Sequence, residues 1–139
     1  MRNKYVIEIV CFLVSIVFVY AGIIKLLDNR IFVMQLHKSP LLPDFTAVPI
    51  SIIFPVVEIF AGIGVFIGRL RKISLYVSLI LFSLFTAYLI ILNSFFIDVP
   101  CSCGGILGKM SYEVHILFNL FFLCIIIIAL NKYGKTTNN

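Results

Sequence analysis

Apolar residues fall in four long runs separated by polar punctuation. The runs cover 5–27, 49–68, 73–96 and 112–130, and the first follows the charged start Met1-Arg2-Asn3-Lys4. Each holds about 19–24 residues, and a helix needs about 20 to cross the hydrocarbon core of a bilayer. The pattern predicts an all-α integral membrane protein, a four-transmembrane-helix bundle that forms one domain over residues 1–139. A signal peptide shares the charged start, but its apolar core is only about 7–15 residues and ends at a small-residue cleavage site. The first run is longer and has no such site, so it reads as a retained span.

Between the first two runs, the stretch Arg30-Ile31-Phe32-Val33-Met34-Gln35-Leu36-His37 predicts a short helix lying in the membrane interface. Asp28 and Asn29 are its candidate N-caps, and Pro40 and Pro43 stop it. Pro55 is a candidate kink in the second span, where Gly62, Gly64 and Gly68 put small residues along one side. Gly64 and Gly68 have GxxxG spacing, which permits close helix approach. Packing within this chain is its expected use. The fourth span has Ser111 as candidate N-cap and Glu113 in its first turn.

Composition agrees with the pattern. Of 139 residues, 62% are hydrophobic and 12% charged, against about 45–50% and about 25% in soluble domains. A net charge of +5 would suggest nucleic acid as the partner of a soluble protein. Here the basic residues sit at the ends of the apolar runs, where they orient a chain in the bilayer, and no nucleic acid is expected. Four spans put both termini and the turn between spans two and three on one side. That side holds seven basic residues, Arg2, Lys4, Arg69, Arg71, Lys72, Lys132 and Lys135; the other holds four, Lys25, Arg30, Lys38 and Lys109. The positive-inside rule then gives a multi-pass protein of the bacterial inner membrane with cytoplasmic termini and a periplasmic loop between spans three and four.

That loop carries the chain's one cluster of reactive groups, Pro100-Cys101-Ser102-Cys103-Gly104-Gly105. A bridge between Cys101 and Cys103 is geometrically tight, and strained or exposed disulfides are the labile, oxidising ones. An oxidising compartment lets such a pair cycle. Gly104 and Gly105 leave room for a partner protein. Lys109 favours a thiolate and Asp98 opposes it. A metal reading needs more ligands; His37 and His115 fall on the same side and would complete a tetrahedral site, but neither has the spacing of a zinc module, so no metal is assigned. A loop without function is the remaining alternative. Cys11 and Cys124 sit at similar depths in spans one and four, close enough to touch, and read as inert packing thiols.

A second set lies inside the membrane. Glu58 is roughly 13 Å below the outer end of span two, and Tyr20 and Asn119 roughly 10 Å below theirs, at the helical rise. His115 and Asn119 share a face of span four. A carboxyl group at that depth is costly unless paired or protonated, and is a functional-site hypothesis by default. A line from the cysteine loop through His115 and Asn119 towards Glu58 and Tyr20 suits proton transfer or a quinone headgroup; a buried hydrogen-bond cluster holding the bundle together is the structural alternative. Lys25, two residues from its outer end, is expected to snorkel outward and not to reach Glu58.

Phe18-Val19-Tyr20-Ala21-Gly22-Ile23-Ile24-Lys25-Leu26-Leu27 resembles the first-helix pattern of DoxX-type membrane proteins, and Glu58-Ile59-Phe60-Ala61-Gly62-Ile63-Gly64 the start of their second conserved stretch. Pro100-Cys101-Ser102-Cys103-Gly104-Gly105, running into a helix with Asn119, resembles the MauE branch, the methylamine-utilisation accessory proteins. Gly105 stands where an aromatic is common in MauE-like loops. The resemblance implies a four-helix inner-membrane bundle similar in architecture to vitamin K epoxide reductase, with Cys101 and Cys103 as the redox pair. It further implies a periplasmic thioredoxin-like partner or a disulfide-containing client such as methylamine dehydrogenase, with quinone as candidate cofactor. The expected function is thiol–disulfide redox maturation, as a membrane oxidoreductase. The alternative is a non-enzymatic assembly or scaffold subunit, and a small permease is a third, weaker reading.

Overall fold

The computed structural model describes residues 2–95 and 112–137. The expectations for Cys101, Cys103, their flanking glycines, Asp98, Lys109 and Ser111 fall outside the described residues. The described elements are α1 (Arg2–Leu27), α2 (Asn29–His37), a 3₁₀ turn (Asp44–Thr46), α3 (Ala47–Gly64), α4 (Arg71–Phe95) and α5 (Tyr112–Thr137), with no strand among them. Among the described residues, four helices are long and apolar enough to cross a membrane. α1 packs on α3 and α5, α4 packs on the same two, and α2 lies across α3 and touches α1. The four spans thus form a ring in the order α1, α3, α4, α5. Their outer faces carry Phe12, Ile16, Phe60, Leu84 and Leu117, all exposed. So much apolar surface marks a lipid-facing exterior, and the chain is a multi-pass membrane protein.

Helical periodicity decides what goes inside. On α1 the buried positions include Ile7, Cys11, Val14, Phe18, Ala21, Gly22 and Lys25, one stripe at three- and four-residue spacing. On α3 they include Ser51, Pro55, Glu58, Ala61 and Gly62. These two stripes meet through small residues. A Cβ at Gly22 would come 2.9 Å from the Pro55 carbonyl oxygen and 2.6 Å from Ile59 Cγ1; one at Gly62 would come 3.0 Å from Val19 Cγ2. Gly22 and Gly62 therefore set the α1–α3 separation. The Gly64–Gly68 pair does not act together: Gly64 abuts Ser74 of α4, and Gly68, past the end of α3, has open space where its side chain would be.

The core is a pile of rings. Phe18 of α1 stacks on Phe82 of α4 with centroids 4.9 Å apart, and Phe82 stacks on Phe122 of α5 at 5.3 Å. Polar hydroxyls inside α4 are satisfied locally, with Ser78 Oγ donating to the Ser74 carbonyl and Thr86 Oγ1 to that of Phe82. Such back-bonding lets hydroxyls sit in an apolar interior without a second helix as partner.

Two helix ends differ from the apolar runs. The second span ends at Gly64, not Gly68; three glycines lower helix propensity there, and Arg71 Nε takes the Val65 carbonyl at 2.9 Å. The fourth helix continues past Leu130 to Thr137, where the hydroxyls of Thr136 and Thr137 donate to the carbonyls of Lys132 and Tyr133. At that end of the bundle Arg71 Nη1 also reaches Glu8 at 3.4 Å, and Lys132 Nζ reaches Asn3 at 3.3 Å.

Pro55 lies within α3, which runs through it unbroken as a helix. Proline has no N–H for the carbonyl four residues before it. That carbonyl belongs to Ser51, and Asn29 Nδ2 donates to it at 3.1 Å. Asn29 is therefore not the cap of α2. It opens that helix, and Asp28 at the cap position makes no side-chain capping bond. Asn29→Leu is expected to destabilise the protein by about 1–3 kcal/mol, the cost of a buried carbonyl left without a donor. Thermal unfolding of the detergent-solubilised variant measures it, and Asn29→Gln tests whether the longer amide restores the bond.

Candidate functional site

The buried stripes of α1 and α3 bring Lys25 and Glu58 together. Lys25 Nζ donates to both carboxylate oxygens, at 2.9 and 3.0 Å, and the two residues are 4% and 5% exposed. This corrects the expectation that Lys25 snorkels to the surface. Depth along the helix suggested an exit, but the side chain leaves α1 on its inward face. α2 then folds over it: the ammonium lies 5.6 Å from the ring centre of Phe32, 4.8 Å from Phe54 and 5.6 Å from Phe85. A desolvated cation facing aromatic rings gains on the order of 2 kcal/mol per favourable contact. Three rings and a bidentate carboxylate thus hold one cation inside the bundle.

On one side of the pair is a cavity of about 30 Å³, lined by Lys25, Glu58, His115 and Asn119 with Phe18, Phe54, Phe82 and Phe85. That is room for about two water molecules at ~10–15 Å³ each. His115 and Asn119 come from the first turns of α5 and are both buried. The His115 ring lies against Phe85 at 5.6 Å and Phe118 at 6.3 Å. Asn119 Nδ2 is fully buried and has no hydrogen-bond partner among the described residues. An amide donor lining a water-sized cavity beside a carboxylate suits a bridging water.

Three of the four intramembrane candidates, Glu58, His115 and Asn119, therefore line one chamber. Tyr20 lies off the buried stripe of α1, at 37% exposure, and does not line that chamber. His37 is exposed beside Asp44, with Nδ1 3.5 Å from Oδ1, apart from the buried surroundings of His115. Cys11 is buried in the core and Cys124 is exposed on the outer face of α5; both are free thiols. Their similar depths allow contact, but the packing role expected of both holds for Cys11 alone, because residue 124 turns away from the bundle axis while residues 122 and 126 turn toward it. Sequence reasoning missed the aromatic walls Phe32, Phe54 and Phe85. It also missed the bond from Tyr88 Oη to Ser39 Oγ, 2.9 Å, which ties the α2–α3 connection to α4.

Residues 3–132 match the family model described as methylamine utilisation protein MauE. No curated protein and no solved structure gives a match.

Proposed function

Because this chain belongs to the MauE family of methylamine utilisation proteins, we propose that it is a thiol–disulfide maturation protein of the inner membrane, with Cys101 and Cys103 as its working pair. The observation that carries the reading is the thiol pair itself. It stands in the segment joining α4 to α5, the helix whose first turns bring His115 and Asn119 to the Lys25–Glu58 chamber. A disulfide closed over one intervening residue is strained and accepts electrons readily. A client dithiol, or a thioredoxin-like protein acting for one, attacks it and leaves as a disulfide, and Cys101 and Cys103 become two thiols. Their reoxidation releases two electrons and two protons, for which a membrane quinone, reduced to quinol, is the acceptor. The excess of basic residues around both termini and the α3–α4 turn supports cytoplasmic termini and a periplasmic loop.

The test is to trap the loop in intact cells with a membrane-impermeant thiol reagent. The expected result is no labelling of Cys101 or Cys103 until a reductant is added outside, and labelling of both afterwards. Labelling without reductant, or none after it, overturns the proposal. So does full client maturation in the variant carrying Cys101→Ser with Cys103→Ser, which leaves assembly as the role.

A further inference from the structure

Lys25 also lines a second cavity, one that Glu58 does not line. This one is about 260 Å³, lies between α2, α3 and α4, and is walled by Phe32, Ile50, Phe54, Phe85 and other apolar side chains. At its edge is Leu84, 62% exposed on the lipid-facing surface of α4, so the cavity opens sideways towards the bilayer. Tyr88, which also lines it, spends its hydroxyl proton on Ser39. Lys25, whose ammonium lies among the Phe32, Phe54 and Phe85 rings that wall the space, is then its one charged lining residue among those described. It has three N–H donors, and the two carboxylate oxygens of Glu58 account for two of them.

These features restrict the occupant. A cation is repelled by Lys25. An anion would have to displace Glu58 and be stripped of water in an apolar cavity, which is costly. A neutral molecule with flat faces and a carbonyl oxygen fits: the faces lie against phenylalanine rings, and the oxygen accepts the remaining N–H. The volume is below the ~300–1,000 Å³ of drug-sized sites, so it holds one ring and leaves an apolar tail to run out past Leu84 into the lipid.

We propose that the α2–α3–α4 cavity is the binding site of a membrane quinone, with Lys25 Nζ donating to one ring carbonyl. The inference rests on the redox reading above and moves the quinone away from the Glu58–His115–Asn119 chamber, which has space only for water. The two cavities then divide the work. The apolar one holds the ring that takes two electrons, and the polar one, which shares Lys25 with it, stores the protons that convert quinone to quinol. Lys25 is a binding residue in this scheme, and Glu58 positions it.

The chain has no tryptophan, so one introduced indole is a unique reporter. With Leu84→Trp in lipid nanodiscs, a benzoquinone bearing a decyl tail is expected to quench fluorescence along a saturable curve. With Phe12→Trp, on the lipid-facing surface of α1, quenching should rise only linearly as the quinone partitions into lipid. Adding Lys25→Met with Glu58→Leu to the reporter should weaken the saturable phase about tenfold or more, the loss of one charge-assisted hydrogen bond. Adding Ile50→Trp to the unlabelled protein should abolish saturable binding of the same quinone in radiolabelled form. Linear quenching at both positions, or saturable binding untouched by both the paired substitution and Ile50→Trp, overturns the site. The two proposals fail separately. Cysteines that cycle without a saturable phase refute the cavity alone. A saturable phase in a chain whose Cys101 and Cys103 never oxidise in cells refutes the redox role alone.

Discussion

Lys25→Met is expected to destabilise the folded bundle by about 3–5 kcal/mol, because it strands the Glu58 carboxylate in an apolar interior. The cost comes less from the lost attraction than from the charge left behind. Lys25 Nζ serves both oxygens of the Glu58 carboxylate, and the space for water beside it is one small chamber. Glu58→Leu should cost a similar amount by stranding the ammonium, eased by the rings of Phe32, Phe54 and Phe85. The double variant, Lys25→Met with Glu58→Leu, is expected to recover most of the loss, since an ion pair replaced by apolar groups of similar volume is often neutral or stabilising. Unfolding in mixed detergent, run as a double-mutant cycle, gives the coupling energy directly. Single variants within 1 kcal/mol of the parent, or losses that simply add, would mean that the pair does not hold α1 to α3.

Phe82→Ala should cost about 3–5 kcal/mol. Phe82 is the middle ring of three, sandwiched between Phe18 and Phe122, so its removal opens the bundle centre along the diagonal from α4 to α1. Lipid tails are as apolar as the core, so the stabilisation here is packing and not transfer from water. A cavity too deep for lipid to fill forfeits those contacts outright. Phe12→Ala, on an exposed position of the same bundle, should stay within about 0.5 kcal/mol. The comparison holds residue type and substitution constant and varies only position. Equal losses at the two sites would show that ring packing does not organise the interior.

Hydrophobic runs located every span because crossing a bilayer demands unbroken apolar length. They located helix ends poorly, for a physical reason: hydropathy tracks the lipid and hydrogen bonding tracks the helix. α5 keeps its ladder through Lys132 and Lys135 into the polar region, and α3 stops inside its run where Arg71 caps Val65. Glu58, His115 and Asn119 were legible as one cluster because polar groups deep in an apolar run need partners. The depth of Lys25 points to the interface, but its helical face points inward. Counting back from residue 25 by threes and fours gives Gly22, Ala21, Phe18, Val14 and Cys11, the buried stripe itself. Tyr20, one position away from that stripe, was drawn into the site by depth alone. Asn29 was assigned to the nearest helix start, since the proline that creates its acceptor lies 26 residues further on. Nothing local to either residue links them.

The ion pair also bears on how the protein enters its membrane. Lys25 belongs to the first span and its counter-charge to the second, 33 residues later. While only the first span has been made, its buried stripe carries a cation with no carboxylate opposite, an insertion cost of up to about 3 kcal/mol. Synthesis of α3 removes that cost, and close contact at Gly22 and Gly62 brings the two helices together at the same moment. The first and second spans are thus a unit of biogenesis, a hairpin that settles into the bilayer when its second arm arrives.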